Sequence, residues 1–513
     1  MPNFANLILF LTALAFGYSN AAERPNVLII MADDLGYADL SFLPQSPKDV
    51  DTPSIDKLAS EGTYFSNAYA TAPICSPSRC GMITGRYQQR WGNYWYGQGG
   101  LPNEETTLPQ ALNELGYFSQ KIGKTHLNGG PAEHPLDHGF AEFLGFMHHS
   151  WDYIRLSDKD LAAYKKRAEG KSLGILNVGP LERGKGGTAS YDKGFTTEIF
   201  TEEAVKTIKA GKSSDKPFYI QLEHNAVHMP TYIADPDYAR KAGYEQPVWD
   251  REAEHWEFPF WDPNDISWEK WHKKWGHLEE IDELGRKRYL ANLMALDDSV
   301  GKLVKALEET GQRENTIIVF ISDNGGTINT YSNNTPLRGY KYMFGEGGVR
   351  VPMIISWPGQ LPQNETRSEL TSGMDIFPTV VELAGGKLPS NLDGRSLSPS
   401  LKSISKEAGH DFLFFSDGKG TWSIREGDWK LISSPGWTHS SYQLDEANLA
   451  HPAEEATYPP GVVLFNLSDD IGETTDRSAE HPERVESMTA LYQSWREQMG
   501  TSVRGNAKKK KKQ

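Results

Sequence analysis

The chain of 513 residues holds only 2 cysteines. Two thiols cannot knit a disulfide framework, so the fold must rest on a buried core, which a chain of this length can build. They stand at Cys75 and Cys80, five apart on a helix pattern, where the side chains diverge; no pairing is expected. Long apolar runs are also missing. The run Leu7 to Phe16 falls short of the ~18–20 residues that span a bilayer. With Gly17 to Ala22 behind it, residues 1–22 read as a signal peptide cleaved near Ala22, although no Lys or Arg precedes the run. The mature chain, periplasmic or secreted, is expected to make no stable membrane insertion. Positive charge is scarce: 53 Lys and Arg face 68 Asp and Glu, a formal net charge of −15. Phosphate backbones need a basic surface, so nucleic acid is not an expected partner. A local positive pocket can still take a small anion.

What is present is an ordinary globular balance, 38% hydrophobic and 24% charged, with strand-like and helix-like stretches alternating. Val27–Met31 is a continuous apolar run, as in a strand buried on both faces; Asn315–Ile321 reads as a second apolar strand, and Pro217–Leu222 and Met353–Trp357 read as further strands. Gly116–Gly123 reads as another. Helical periodicity marks Thr196–Lys209, Arg286–Gly311 and Asp375–Gly385. Around 388–400 composition shifts to Pro, Ser and Asn, a plausible joint. Beyond it, Asp411–Ser416, Thr421–Arg425, Trp429–Ser433 and Val462–Leu467 read as antiparallel strands, and Pro482–Met499 as a closing helix. The expected fold class is therefore α/β: a large mixed sheet sandwiched by helices over 23–395, with a smaller C-terminal subdomain of antiparallel sheet plus helix over 396–505. The tail 506–513 is a solvated basic run, expected to be disordered.

The chain is organised around Ala72 to Arg86, which contains Cys75-Ser76-Pro77-Ser78-Arg79. Pro77 belongs in a first helical turn and Gly85 can end the helix. Cys75 then sits at a helix start, where N–H donors and the dipole favour an anion, with Arg79 one turn on along the same face. The local pattern leaves two readings: a nucleophile in a positive pocket, and a small buried hydrophobe. Cys80 reads as core. Two strand ends carry oxygen donors. Asp33-Asp34 follows Val27–Met31, and Asp323-Asn324 follows Asn315–Ile321. Open α/β sheets place their sites at such ends; a solvated turn is the alternative. A donor set of oxygens selects Ca²⁺ or Mg²⁺ over zinc. Lys124 and His126 end the Gly116 strand, and His228 lies in the loop after Pro217–Leu222. A Lys can hold an anionic oxygen and a His can move a proton near neutral pH.

These residues together resemble the type I, formylglycine-dependent sulfatases of the alkaline phosphatase superfamily. Cys75-Ser-Pro77-Ser-Arg79 with Thr84-Gly85-Arg86 is similar to that family's signature. Further matches are Ser322-Asp323-Asn324-Gly325, Gly123-Lys124-Thr125-His126, the loop ending His228-Met229-Pro230, and Leu337-Arg338-Gly339 to Pro352 with Lys341. Thr125 replaces a Trp and Val227 a Pro, both at positions without chemistry. The resemblance implies an alkaline-phosphatase-like fold and one Ca²⁺ held by Asp33, Asp34, residue 75, Asp323 and Asn324. It implies a maturation enzyme that oxidises Cys75 to formylglycine (3-oxoalanine), whose hydrate attacks sulfur. It further implies that Arg79, Lys124 and Lys341 hold the sulfate, that His228 protonates the leaving alcohol and that His126 takes the proton that re-forms the aldehyde.

The substrate has a weaker imprint. Residues 231–280 look like an insertion with Trp249, Trp256, Trp261, Trp268, Trp271 and Trp275, six of 14 Trp. Trp91, Tyr94, Trp95 and Tyr96 form a second aromatic cluster near the Cys75 helix. Such side chains stack on sugars, and they also pack against a protein body. Sulfated polysaccharide or oligosaccharide is the expected substrate. Arylsulfatase activity, phosphate or phosphonate ester hydrolysis, and a non-catalytic glycan-binding role are the rivals. Arg338, Glu346 and Arg350 read as an internal salt-bridge network, and His224 as a packed histidine.

Overall fold

The apolar run that begins at Val27 is a strand covered on both sides. In the computed structural model, β1 (Asn26–Ala32) is buried throughout. Its side chains alternate between two cores, as the strand period demands. Leu28 and Ile30 face one apolar cluster, and Val27, Ile29 and Met31 face the other. The structure describes residues 24–127, 134–148, 153–155, 181–189, 194–229, 231, 234–245, 284–327, 330–403, 409–434 and 458–501. The expected signal peptide, all six tryptophans of the insertion and the basic tail lie outside the described residues.

Among the described residues, ten strands form the main sheet. In chain order they are β1, β2 (Thr63–Phe65), β3 (Phe118–Lys124), β4 (Glu142–Phe146), β5 (Glu182–Arg183), β6 (Gly187–Thr188), β7 (Phe218–Glu223), β8 (Thr316–Ser322), β9 (Met353–Ser356) and β10 (Glu365–Arg367). Their spatial order is β10-β2-β9-β8-β1-β7-β3-β4-β5-β6. β1 pairs in parallel with β7 and β8, and β3 pairs in parallel with β7. β4 pairs in parallel with β3 as well, so five C-terminal strand ends share one edge. The register sets Met31 opposite Glu223, Glu223 opposite Gly123, and Ala32 opposite Ser322. β9 runs antiparallel to β8, which makes the sheet mixed.

Helices cover both faces. Helix α1 (Cys75–Thr84) contributes Cys80, Met82 and Ile83 to the core on the Val27 side. Helix α2 (Thr196–Gly211) and helix α3 (Gly285–Thr310) cover the Leu28 side with Phe200, Ala204, Leu293, Leu296 and Val300. Helix α4 (Ile376–Leu383) packs beside α1 through Phe377 and Val380. Gly85 and Gly311 end their helices in left-handed backbone, the expected glycine stops.

The C-terminal strands β11 (Phe412–Ser416), β12 (Trp422–Glu426), β13 (Trp429–Ser434) and β14 (Gly461–Asn466) form an antiparallel sheet in that order, followed by helix α5 (Pro482–Glu497). Leu413, Phe415, Tyr492 and Trp495 share a core with Tyr69, Tyr87 and Phe344 of the larger part. Beneath it, Glu346 accepts from Lys430 of β13 at 2.8 Å and from Tyr69 at 2.7 Å, with Arg350 at 3.2 Å. Lys430 is a partner the sequence did not signal. Arg338, assigned to the same network, donates to the Glu473 carbonyl at 2.6 Å and lies over the Tyr458 ring.

Candidate active site

Helix α1 starts at Cys75, with extended Ile74 as its N-cap. Its ten residues are all buried, because both α4 and the sheet cover it. Arg79, one turn on, reaches the shared strand edge. Its Nε and Nη2 donate to Asp323 Oδ2 at 3.0 and 2.7 Å, and Nη1 donates to Glu223. Asp33 follows β1 and Asp323 follows β8, so adjacent strands deliver both carboxylates to one point. Asp33 N–H bonds the Ala226 carbonyl at 2.9 Å and Val227 N–H bonds the Asp33 carbonyl at 2.7 Å. This tie carries the loop after β7 over the site and sets His228 Nε2 3.6 Å from Asp34 Oδ2.

The ammonium groups arrive from two sides. Lys124 ends β3 and donates to Asp33. Lys341 Nζ lies 2.7 and 2.8 Å from the two Asp34 oxygens. Its loop is fastened just ahead of helix α1 by the Tyr342 N–H, which donates to the Pro73 carbonyl at 2.7 Å. His126, two residues past β3, is buried in left-handed backbone. Every catalytic residue expected from the sequence is buried: Cys75, Arg79, Lys124, His126, His228 and Lys341. The metal candidates Asp33, Asp34, Asp323 and Asn324 are buried with them.

Burial and neighbouring charge compete at each titrating group. Burial pushes the Cys75 thiol up, while Lys124 and Lys341 pull it down by less. Cys75 is therefore a poor thiolate at neutral pH, and thiolate nucleophilicity is not what this pocket favours. Burial would raise Asp34, but Lys341 and His228 hold it below its ordinary range. Burial and the nearby Asp33 push Asp323 up. Burial and Lys341 push His228 well down, so its imidazole is neutral at rest. Its Nδ1 contacts the Met229 carbonyl at 2.5 Å, which makes Nδ1 the protonated nitrogen and leaves the Nε2 lone pair toward Asp34.

One ligating atom each from Asp33, Asp34, Cys75 and His228 lie within 4.8 Å of one another. Among the described residues, Asp33 Oδ1 and Asn324 Oδ1 are buried without a hydrogen-bond partner. A buried oxygen left bare is destabilising, and a hard divalent cation satisfies several at once. The carboxylate and amide oxygens of this set fit a hard divalent cation. Asn324 Nδ2 donates to Asp34 Oδ1 at 2.7 Å, which turns its bare Oδ1 away from that carboxylate.

Glu223 and Lys121 lie behind Arg79 and were not foreseen. Lys121 Nζ is 2.5 Å from Glu223 Oε1, and Gln221 also donates to Glu223. The signal was present as Tyr219-Ile-Gln221-Leu-Glu223, where alternate polar residues end a buried strand on one face. His224 is packed as expected: Nε2 lies 3.0 Å from Ser299 Oγ, and burial brings it down to about 3.

A mixed α/β sheet that gathers carboxylates, ammonium groups and a helix-start thiol at one buried point defines a hydrolase of tetrahedral anionic esters. Comparison with known proteins narrows this. Residues 25–386 match the sulfatase family model, and residues 339–434 match that of the C-terminal part of N-sulphoglucosamine sulphohydrolase. Arylsulfatase A of Bos taurus is 31% identical, covering 90% of this chain and 84% of that one. N-acetylgalactosamine-6-sulfatase of Canis lupus familiaris is 29% identical, over 91% and 84%. Among solved structures, Ps i-CgsB in complex with k-i-k-neocarrahexaose superposes with a TM-score of 0.74 at 30% identity, over 95% and 96%. The chain belongs to the sulfatase family. It is a type I sulfatase of the alkaline phosphatase superfamily and hence a sulfuric ester hydrolase.

Proposed function

We propose that this sulfatase is exported and removes sulfate from a sulfated polysaccharide or oligosaccharide, using formylglycine at position 75 and one Ca²⁺. The observation that carries the reading is the convergence of bare buried oxygens, Cys75, His228 and two lysines at one strand edge. The names of the relatives, acting on N-acetylgalactosamine 6-sulfate or bound to a neocarrahexaose, favour sugar over other alcohols. The apolar run Leu7–Phe16 supports export.

Asp33, Asp34, Asp323 and Asn324 would hold the Ca²⁺ beside residue 75. The cation supplies positive charge for the sulfate oxygens, and oxidised residue 75 supplies the attacking hydroxyl. Lys124 and Lys341 each have three N–H donors, so their carboxylate partners leave donors for sulfate oxygens. Arg79 fixes Asp323 and adds its charge from behind. His228 gives a proton to the leaving alcohol. Burial and Lys341 hold that imidazole neutral at rest; the incoming anionic ester offsets the charge of Lys341, so His228 takes up a proton from water as the substrate binds and can pass it on. His126 then accepts the proton that frees the sulfate.

The test is a panel of sulfated glycans, aryl sulfates and phosphonate monoesters, assayed after co-expression with a formylglycine-generating enzyme. Sulfate release from glycans supports the reading. Turnover of aryl sulfates alone removes the carbohydrate assignment, and faster phosphonate turnover favours the phosphonate hydrolase rival.

A further inference from the structure

The aromatic cluster after helix α1 is used in two ways. Trp91 donates its indole N–H to the Gly100 carbonyl at 2.7 Å, and Tyr94 its hydroxyl to the Gly500 carbonyl at 2.8 Å. Those two hold the fold together. Trp95 is half-buried and lies against Ala72, Ile74 and Cys75. Tyr96 next to it is 52% exposed. Tyr342 packs on the same Ala72–Ile74–Cys75 cluster from the opposite part of the chain. The Trp95 and Tyr342 rings are 6.1 Å apart and tilted by 38°, and Lys341 Nζ lies 5.6 Å from the Tyr342 ring centre. Tyr342 also adopts left-handed backbone, φ 78°, uncommon for a bulky side chain. Such strain persists where the surroundings over-determine it, commonly at ligand clamps.

We propose that Trp95 and Tyr342 form the sugar-binding wall of the sulfate site. The wall takes the apolar C–H face of the pyranose ring that carries the scissile sulfate, and Tyr96 forms its outer rim. This rests on the carbohydrate reading above. The charged groups grip the sulfate and are indifferent to the alcohol behind it, so choice of substrate must come from side chains that touch the ring. An aromatic face is negative and attracts the positively polarised C–H bonds of a sugar. Both rings are half-buried against the cluster that contains Cys75, so each keeps accessible surface beside the nucleophile. The Pro73 carbonyl, two residues before Cys75, fixes Tyr342 through its backbone, so wall and nucleophile move together.

The test uses the matured full-length enzyme and the best oligosaccharide of the panel. Trp95→Leu keeps apolar contact with Ala72 and Ile74 but has no π face. Tyr342→Asn removes the ring with a residue that tolerates left-handed backbone. KM for the oligosaccharide is expected to rise about tenfold in each, with a smaller change in kcat. Trp95→Phe and Tyr342→Phe are expected to restore most of the loss. On a Cys75→Ala background, calorimetric titration with the same oligosaccharide should show the same ordering of Kd without relying on turnover. Unchanged KM and Kd in both ringless variants, with wild type active on sugar, would overturn the wall alone. A wild type that cleaves aryl sulfates and no sulfated sugar would overturn the carbohydrate reading, and the wall with it.

Discussion

The buried ionic cluster at the end of β1 contrasts with the one beneath the C-terminal sheet. In the second, both Glu346 oxygens meet donors in Lys430, Tyr69 and Arg350, and Glu473 Oε1, which makes no hydrogen bond, still lies 3.4 Å from the Lys430 ammonium. The first cluster sets Asp33, Asp34, Asp323 and Glu223 against Arg79, Lys121, Lys124 and Lys341, yet Asp33 Oδ1 and Asn324 Oδ1 are bare. The difference separates structure from function. A cluster that serves the fold sets its bare oxygen against its own ammonium, whereas one that serves chemistry holds bare oxygens and spare N–H donors for a cation and an anion from outside.

The largest effect that tests this contrast is at residue 75. Cys75→Ala should lower sulfate release by about 10⁴-fold or more and leave the melting temperature close to wild type. Full activity in that variant would end the claim that the open cluster is catalytic. Next is the cluster beneath the C-terminal sheet. Lys430→Met strands Glu346 and Glu473 and should destabilise the protein by about 3–5 kcal/mol in denaturant titration. Lys341→Met should do the reverse, with turnover down about a hundredfold and a smaller stability loss, since Asp34 keeps its Asn324 bond. A greater stability loss for Lys341→Met than for Lys430→Met would erase the distinction.

Glu223 and Lys121 sharpen the comparison from inside the open cluster. Glu223→Gln loosens Arg79 and should reduce kcat about tenfold, through misplacement of Asp323. Lys121→Met with Glu223→Gln should be more stable than either single change suggests, because the pair leaves together. The smallest effect is a pH dependence. Burial brings Lys121 down to about 8 from 10.5, against the attraction of Glu223. Between those values the unfolded chain binds a proton that the folded chain has released, so this residue's contribution makes stability rise with pH across that window. Lys121→Met should flatten that rise in urea titrations at successive pH values.

Much of this was legible before any coordinates. β1 and β8 are buried on both faces, and such strands show themselves as unbroken apolar runs, so the acids at their ends could be placed. Pro77 and Gly85 bracketed α1 because a helix start tolerates Pro and a helix stop favours Gly. Glu223 and Lys121 escaped because they meet only when β3 and β7 are neighbours, and strand order is set by packing rather than by local pattern. Lys430 escaped for the same reason: its partner Glu346 lies 84 residues away in another sheet's territory. Tyr342 carried no mark in sequence, since a left-handed aromatic is fixed by the Pro73 contact and not by its own preference.

The central claim is best tested by measuring the mass of the peptide that contains residue 75 alongside sulfate release from the same preparation. The account predicts an aldehyde in place of the thiol, with activity proportional to the converted fraction. Full activity with the thiol intact, or complete conversion with no sulfate ester cleaved, would contradict it.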